Sequence, residues 1–238
     1  MAIRRESHPA LEPRTKQETD VIDVYTWTTG NSRKVPIFLE ESGVPYRLHM
    51  VNIRTGEQFS PEFVAICPNS KVPAIVDQDG PGGKPFSLFE SGAILIYLAD
   101  KYGKFIGKDI AERYRAIEWV MFQMANVGPL FGQANHFLNK TPEKMPYAID
   151  RYVKESARLY KVMDDRLAKV EYLAGEYSIA DMASYVWVRN PKHQGQTLDT
   201  YPNVKRWFTA IHARPAVQRA HKAVEAAGEQ HLALKKAG

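Results

Sequence analysis

The chain has 238 residues, of which 44% are hydrophobic and 25% charged, a balance typical of a globular protein with one or two domains. The net charge of +5 comes partly from the two ends, and the absence of a basic helix face with interleaved aromatic residues or of zinc-finger spacing argues against nucleic-acid binding. The single cysteine, Cys67, excludes a disulfide within the chain, and no apolar run is long enough to span a membrane.

Residues 1–20 are predicted to be a flexible N-terminal extension, because residues 6–20 are mostly polar. Arg4 and Arg5 are the start of a possible twin-arginine export signal, but the apolar stretch that such a signal needs does not follow them. With one cysteine and no export signal, we expect a cytoplasmic protein.

Residues 21–104 alternate between strand-like and helix-like patterns. Val21–Trp27 is rich in β-branched and aromatic residues and predicts a strand. A turn at residues 28–32 leads into a helix that Gly43 ends. Tyr46–Met50 then alternates apolar with polar residues, as a half-buried strand does.

The rest of this region predicts a short helix from Pro61, a strand at Pro73–Asp77, a returning strand at Pro85–Phe89 and a helix from Glu90 to Gly103. A helical crossover makes the first two strands parallel, and a short connection makes the last two antiparallel. The order β-α-β-α-β-β-α is the thioredoxin-like topology.

Residues 110–227 show no further strand pattern and predict an all-helical domain. Asp109 with Glu112, and Ser178 with Asp181, have the spacing of capping boxes at helix starts. Pro129 is expected to break the first helical pattern. Residues 228–238 are predicted to be a C-terminal tail, so the fold class is α/β followed by all-α.

The turn Thr28–Asn31, between the first strand and the first helix, is a candidate site for an anionic sulfur. N–H groups at a helix start favour negative charge, and hydroxyl and amide donors lower the pKa of a thiol. Plain capping of the helix by Asn31 or Ser32 accounts for the same residues and stays open.

The segment Ser70–Pro73 is a candidate binding edge. A proline that enters a strand from a loop is a candidate cis peptide, which would turn the Val72 N–H and C=O toward an extended peptide ligand. Lys71 can meet a carboxylate. The alternative is an edge-strand proline with nothing bound.

Glu90 and Ser91 stand at the next helix start. Free amides and the Ser91 hydroxyl suit a carboxylate, and Glu90 suits an ammonium, so the pair fits a γ-glutamyl group, which carries both charges on one carbon. A capped helix is the alternative. Gln58 is by itself a polar residue of the loop 55–59.

Together these segments resemble the glutathione transferase superfamily over residues 21 to about 225. Ser70–Val76 followed by Phe89–Leu95 is similar to its glutathione-site core, and Ser178–Asp181 to the N-capping box of its second domain. The Thr29–Asn31 turn, with residues 128–133 and 146–152, is most similar to the bacterial nu class.

The resemblance implies a homodimeric, cytoplasmic enzyme that uses glutathione to reduce small disulfides. Conjugation or dehalogenation of an electrophile is one alternative, and a non-enzymatic glutathione-binding regulator is another. The nu class lacks the tyrosine, serine or cysteine that activates the sulfur elsewhere. No metal is expected, because the seven histidines show no ligand spacing.

The resemblance also assigns site residues. Thr29 and Asn31 are implied to be catalytic, facing the glutathione sulfur. The remaining assignments are Val72, next to Pro73, for the cysteinyl backbone, Glu90 and Ser91 for the γ-glutamyl end, Gln58 and Lys71 for other parts of the peptide, and Arg151 for a carboxylate of glutathione in the partner subunit.

Other residues remain as alternatives. Cys67 is a possible redox nucleophile, but it lies after the second helix instead of at the first helix start, which favours a structural role. Tyr25 and Tyr46 are possible thiol activators, although Tyr25 within a strand favours packing. Four residues could line a second-substrate pocket or, at their helical spacing, the core: Trp119, Phe122, Phe131 and His136.

Overall fold

One mixed four-stranded sheet forms the first part of the computed structural model, which describes residues 21–237. The strands are β1 (Ile22–Thr26), β2 (Tyr46–Met50), β3 (Ala74–Asp77) and β4 (Phe86–Phe89). Their spatial order is β2-β1-β3-β4, with β1 parallel to β2 and antiparallel to β3, and β3 antiparallel to β4. The predicted thioredoxin-like topology is confirmed; the extension predicted at residues 1–20 lies outside the described residues.

Three helices accompany the sheet: α1 (Lys34–Ser42), α2 (Pro61–Ile66) and α3 (Ser91–Tyr102). A single 3₁₀ turn at Asn31–Arg33 precedes α1, so Pro36 falls in the first α-helical turn, where its missing N–H is tolerated. The helix ends at Gly43, whose φ of +70° lies in the left-handed region that glycine adopts at low cost.

The second part of the chain is helical. Its helices are α4 (Ile110–Phe122), α5 (Gly128–Asn135), α6 (Pro146–Leu167), α7 (Ile179–Val188), α8 (Pro202–His212) and α9 (Pro215–Ala237). The predicted capping box starts α7: the Asp181 carboxylate accepts from the Ser178 N–H at 2.9 Å, and the Ser178 hydroxyl accepts from the Ala180 N–H. Asp109 likewise caps α4.

The expected break at Pro129 is wrong, because the backbone stays helical from α4 to α5. The residues between them, Gln123–Val127, form a π-helical turn in which the Gly128 N–H donates to the Gln123 carbonyl. Pro129 falls in the first turn of α5. Proline is tolerated in the first turn of an α-helix, because the N–H that it lacks is not required there.

Residues 228–237, predicted to be a tail, continue α9 instead. Gly228 allows this helix to approach the turn after β1 closely, since a Cβ there would lie 2.9 Å from the Thr28 Cγ2 atom. The His231 Nε2 atom lies 3.1 Å from the Glu57 carboxylate, in the loop before α2. Contacts with the first part of the chain therefore extend the helix beyond its predicted end.

One hydrophobic core joins the two parts of the chain. Fully buried side chains from α1, α3 and α7, among them Ile37, Leu95 and Met182, belong to a single cluster. The sheet edge that carries the predicted site residues therefore borders the helical part. In the portion that the structure describes, no helix is both long and apolar enough to cross a membrane.

Candidate active site

Two adjoining cavities lie at the connection between β1 and α1 and at the connection between β4 and α3. The larger has a volume of about 490 Å³ and is lined by Thr29, Gly30, Asn31, Ile53, Gln58, Phe59, Asn69, Ser70, Lys71, Val72 and Trp187. The smaller, of about 60 Å³, is lined by Asn31, Cys67, Asn69, Lys71, Val72, Pro73, Phe89, Glu90 and Ser91. Every predicted site residue except Arg151 lines one of the two.

The side chains of the helix-start turn do not cap the helix. The hydroxyls of Thr29 and Ser32 share a hydrogen bond of 2.8 Å, and the Ser32 hydroxyl also accepts from the Trp27 N–H at 3.3 Å. The Asn31 oxygen accepts from the indole N–H of Trp187 at 2.9 Å. No side-chain cap is present on the 3₁₀ turn, so plain capping does not account for Asn31 or Ser32.

The bond from Trp187 fixes the orientation of the Asn31 amide. Indole nitrogen is only a donor, so the atom it meets is the amide oxygen, and the NH₂ group of Asn31 has no partner among residues 21–237. The indole packs against α5, where Cβ atoms at Gly128 and Gly132 would lie 3.5 and 3.7 Å from the ring. No spacing in the sequence singles out Trp187, which the sequence analysis did not identify.

The Val72–Pro73 peptide is cis, which confirms that part of the prediction. Within the described part of the chain, the Val72 N–H and C=O form no hydrogen bond. Beneath this edge, Cys67 is 1% exposed and its thiol donates to the Lys71 carbonyl at 3.3 Å. The Cys67 thiol therefore anchors the loop through the Lys71 carbonyl, and the unpaired Val72 N–H and C=O are groups with which an extended chain could pair.

Glu90 and Ser91 place a carboxylate and a hydroxyl side by side at the start of α3. Glu90 has a φ of +70°, and its carboxylate forms no hydrogen bond or ion pair with a described residue. Ser91 is buried, and its hydroxyl accepts from the Lys34 ammonium at 3.0 Å. Lys34 was missed by the sequence reasoning, although a lysine that opens the apolar run Val35–Leu39 is a usable signal.

Lys34 is completely buried, and it also donates to the Gln123 oxygen at 2.6 Å. Burial lowers the pKa of Lys34 to about 7, while the charge of Glu90 acts in the opposite direction. A lysine whose pKa is lowered by burial therefore lies directly behind Ser91.

The other predicted residues differ in position. The Gln58 nitrogen donates to the Ile53 carbonyl at 3.4 Å, and its buried oxygen has no partner. Arg151 is exposed on α6, in a separate open cavity of about 660 Å³ that Tyr147 also lines. A single chain does not bring Arg151 to the Asn31 cavities.

The alternative candidates lie outside the two cavities, apart from Cys67 in the wall of the smaller one. Tyr25 stacks on His49 with ring centres 4.8 Å apart, and burial followed by the charge of Asp23 raises its pKa. Phe131 is fully buried in the core. The described residues contain no group of three or more His, Cys, Asp or Glu that is placed to hold a metal ion.

Comparison with known proteins gives consistent family matches. The N-terminal domain of glutathione S-transferases matches residues 30–101, and their C-terminal domain matches residues 128–215. Disulfide-bond oxidoreductase YfcG of Escherichia coli K12 is 46% identical over 202 residues, which cover 84% of this chain and 94% of that protein. Disulfide-bond oxidoreductase YghU of the same organism is 39% identical over 83% of this chain and 73% of that protein.

Solved structures agree with these matches. A glutathione transferase from Burkholderia graminis, with two glutathione molecules bound per subunit, is 46% identical, has a TM-score of 0.81 and covers 90% of each chain. A glutathione transferase from Pseudomonas putida, with one glutathione disulfide bound per subunit, is 42% identical with a TM-score of 0.82, over 90% of this chain and 94% of that one.

Proposed function

This chain belongs to the glutathione S-transferase family and is a glutathione-dependent enzyme, and we propose that its reaction is the reduction of small disulfides. The observation that carries the proposal is the Asn31 amide, whose two N–H donors are left for a ligand beside Val72. Two relatives are named disulfide-bond oxidoreductases, and a similar structure holds glutathione disulfide, which supports this reaction over others.

Glutathione is proposed to lie extended across the two cavities. Its cysteinyl backbone pairs with the free N–H and C=O of Val72. Its γ-glutamyl end enters the smaller cavity, where the Glu90 carboxylate meets the ammonium and the Ser91 hydroxyl meets the carboxylate. Gln58 and Lys71 lie along the larger cavity, toward the rest of the peptide.

The glutathione sulfur then reaches the start of α1. Asn31 donates from its amide, and the N-terminal end of the helix favours the negative charge of a thiolate. In the structure the Thr29 hydroxyl donates to the Ser32 oxygen, which also accepts from the Trp27 N–H. Both hydroxyls can rotate, so Ser32 is proposed to donate to Thr29 instead once the sulfur is in place. Thr29 then keeps its proton for the sulfur, so that two donors lower the pKa of the thiol.

The reaction follows from a thiolate that attacks a disulfide. The glutathione thiolate forms an S–S bond with one sulfur of the substrate, and the other sulfur leaves as a thiolate and takes up a proton. A second glutathione thiolate attacks this mixed disulfide, releasing the second product thiol and glutathione disulfide. Two glutathiones are oxidised for each disulfide reduced, and no protein cysteine takes part.

The working enzyme is proposed to be a cytoplasmic homodimer. Arg151 lines a different cavity from the two that hold the other predicted residues, so its predicted contact with glutathione is proposed to be made in a second copy. A reducing compartment would supply reduced glutathione and would keep Cys67, which is a free thiol, in that state.

A steady-state assay tests the proposal by offering glutathione with bis(2-hydroxyethyl) disulfide or with 1-chloro-2,4-dinitrobenzene. We expect disulfide turnover to exceed conjugation of the chlorinated aromatic by roughly tenfold or more. Faster conjugation would favour a conventional transferase. Glutathione binding without turnover of either substrate would favour a regulator.

A further inference from the structure

A charged side chain with no charged contact lies directly behind the smaller cavity. The Lys34 ammonium contacts the Ser91 hydroxyl at 3.0 Å, the Gln123 oxygen at 2.6 Å and the Met124 sulfur at 3.6 Å, and all three are neutral. Among residues 21–237 it forms no ion pair. A buried ammonium without a counter-charge in contact with it is costly, unlike the exposed lysines on the surface.

The hydrogen bonds around Ser91 leave its hydroxyl hydrogen available to a ligand in the smaller cavity. In its charged form Lys34 only donates, so the Ser91 oxygen then accepts from Lys34 and the Ser91 hydrogen points elsewhere. The Met124 sulfur, 3.6 Å from the Ser91 oxygen, is a weak acceptor for that hydrogen. A carboxylate in the smaller cavity, which Ser91 lines, would be a much stronger acceptor.

We propose that Lys34 is a positioning residue for the γ-glutamyl carboxylate of glutathione, and that it takes up a proton when the peptide binds. Lys34 holds the Ser91 hydroxyl in a fixed orientation. The bound carboxylate accepts from that hydroxyl and becomes the counter-charge of the Lys34 ammonium. This inference rests on the proposed function, because it uses the glutathione position assigned there.

The charges around Lys34 determine whether its pKa rises or falls when glutathione binds. From α3, Glu90 raises its pKa, whereas Gln123 and Met124 of the π-helical turn are neutral. Arg33, the neighbouring cation of its own segment, is paired with Glu225 of α9 at 3.2 Å. Binding adds the γ-glutamyl ammonium at Glu90, which is not in contact with Lys34, and this charge lowers the pKa of Lys34. It also adds the γ-glutamyl carboxylate, separated from Lys34 only by the Ser91 hydroxyl, and this charge raises that pKa. The carboxylate is the nearer of the two, so its effect dominates.

Because the pKa of Lys34 rises on binding, we expect the protein to take up a proton. Burial lowers the pKa of Lys34 to about 7, so a large share of the free protein holds a neutral lysine at about pH 8. A bound carboxylate stabilises the charged form and raises that pKa. Binding at this pH therefore draws a proton from the buffer, and binding at about pH 6 draws almost none.

Titration calorimetry with S-methylglutathione tests the inference, because the blocked sulfur has no proton to lose. The binding enthalpy is measured in two buffers of different ionisation enthalpy. We expect the unchanged protein to take up roughly half a proton or more per site at about pH 8. In Lys34→Met that uptake should vanish, with affinity reduced by roughly tenfold. Lys104→Met is the control, since Lys104 only donates to the Ser42 carbonyl.

The same proton uptake in a folded Lys34→Met protein would overturn the inference. If that variant does not fold, as judged by circular dichroism, the test uses the unchanged protein alone. Equal proton uptake by that protein at about pH 6 and at about pH 8 would contradict the inference. Proton-linked binding without disulfide turnover would reject the proposed reaction and leave the role of Lys34 standing.

Discussion

The indole N–H of Trp187 donates to the side-chain oxygen of Asn31 across 2.9 Å, and this bond joins residues 156 positions apart. Trp187 belongs to α7 of the helical part, while Asn31 begins the 3₁₀ turn that precedes α1 in the sheet-containing part. The helical part therefore orients a side chain that the proposed reaction needs, in addition to covering one side of the cavity.

Trp187→Phe should keep the packing against α5 but release the Asn31 amide. Because the lost hydrogen bond is worth about 0.5–1.5 kcal/mol, we expect disulfide turnover to fall roughly threefold to tenfold. Glutathione affinity, measured by calorimetry, should change less, since Val72, Glu90 and Ser91 are untouched. Trp119→Phe is the control, and equal turnover in both variants would contradict an orienting role for Trp187.

Cys67→Ala should leave disulfide turnover nearly unchanged. The Cys67 thiol is buried, donates to the Lys71 carbonyl and stands away from the start of α1. We expect a loss of stability of about 1 kcal/mol, measured by urea unfolding, from the small cavity and the lost bond. Loss of most turnover in a variant with an unchanged circular dichroism spectrum would show that a protein thiol takes part.

Light scattering at micromolar concentration should report about twice the chain mass of 27.0 kDa. Arg151→Ala should then weaken glutathione binding by roughly tenfold, the usual effect of losing a charge-assisted hydrogen bond, without changing that mass. Lys154→Ala is the control on the same helix, because Lys154 is already paired with Asp150 at 2.8 Å. A monomer that binds glutathione at full strength would remove the shared-site proposal.

A buried histidine should make stability depend on pH. Arg33 can only donate, so the His221 Nδ1 atom, 3.1 Å away, accepts. The neutral His221 then carries its hydrogen on Nε2 and donates to the Tyr185 oxygen, also 3.1 Å away, while Tyr185 donates to His212. Burial, followed by the charges of Arg189 and Arg33, lowers the pKa of His221 to about 3.

The sign follows from comparison with the unfolded chain, in which this histidine has a pKa of 6.5. Below that value the unfolded chain binds a proton that the native protein does not, so stability falls as the pH falls from about 6.5 toward 3. Urea unfolding should show about 2 kcal/mol less stability from this group at pH 5 than at pH 7. His221→Gln should remove that difference, and an unchanged pH dependence would contradict it.

Local sequence signals predicted the thioredoxin-like order, because strand alternation, Gly43 and the Ser178–Asp181 box each act over a few residues. They did not predict the helix through Pro129 or the length of α9, since a π-helical turn and contacts with Thr28 and Glu57 decide those. Of the site, the motif segments lie together at two cavities, but their roles in binding and catalysis remain predictions.

Trp187 and Lys34 were missed for a physical reason. Their partners, Asn31 and Ser91, lie 156 and 57 positions away in the chain, so these contacts depend on tertiary packing. The apolar run Val35–Leu39 marks Lys34 as unusual but gives no sign of its partner. Arg151 stays a prediction, because its proposed ligand belongs to the site of a second copy.

In the proposed reaction, Asn31 and Thr29 stabilise the thiolate of bound glutathione. The most direct measurement follows the ultraviolet absorbance of that thiolate against pH in the unchanged protein and in Asn31→Ala, Thr29→Ala and the control Thr28→Ala. Each donor should be worth about 1.5–3 kcal/mol, so each of the two site variants should raise the thiol pKa by about one to two units and slow turnover by roughly tenfold to a hundredfold. An unchanged thiol pKa and rate in both site variants would contradict the claim and would make Tyr25 the next residue to test.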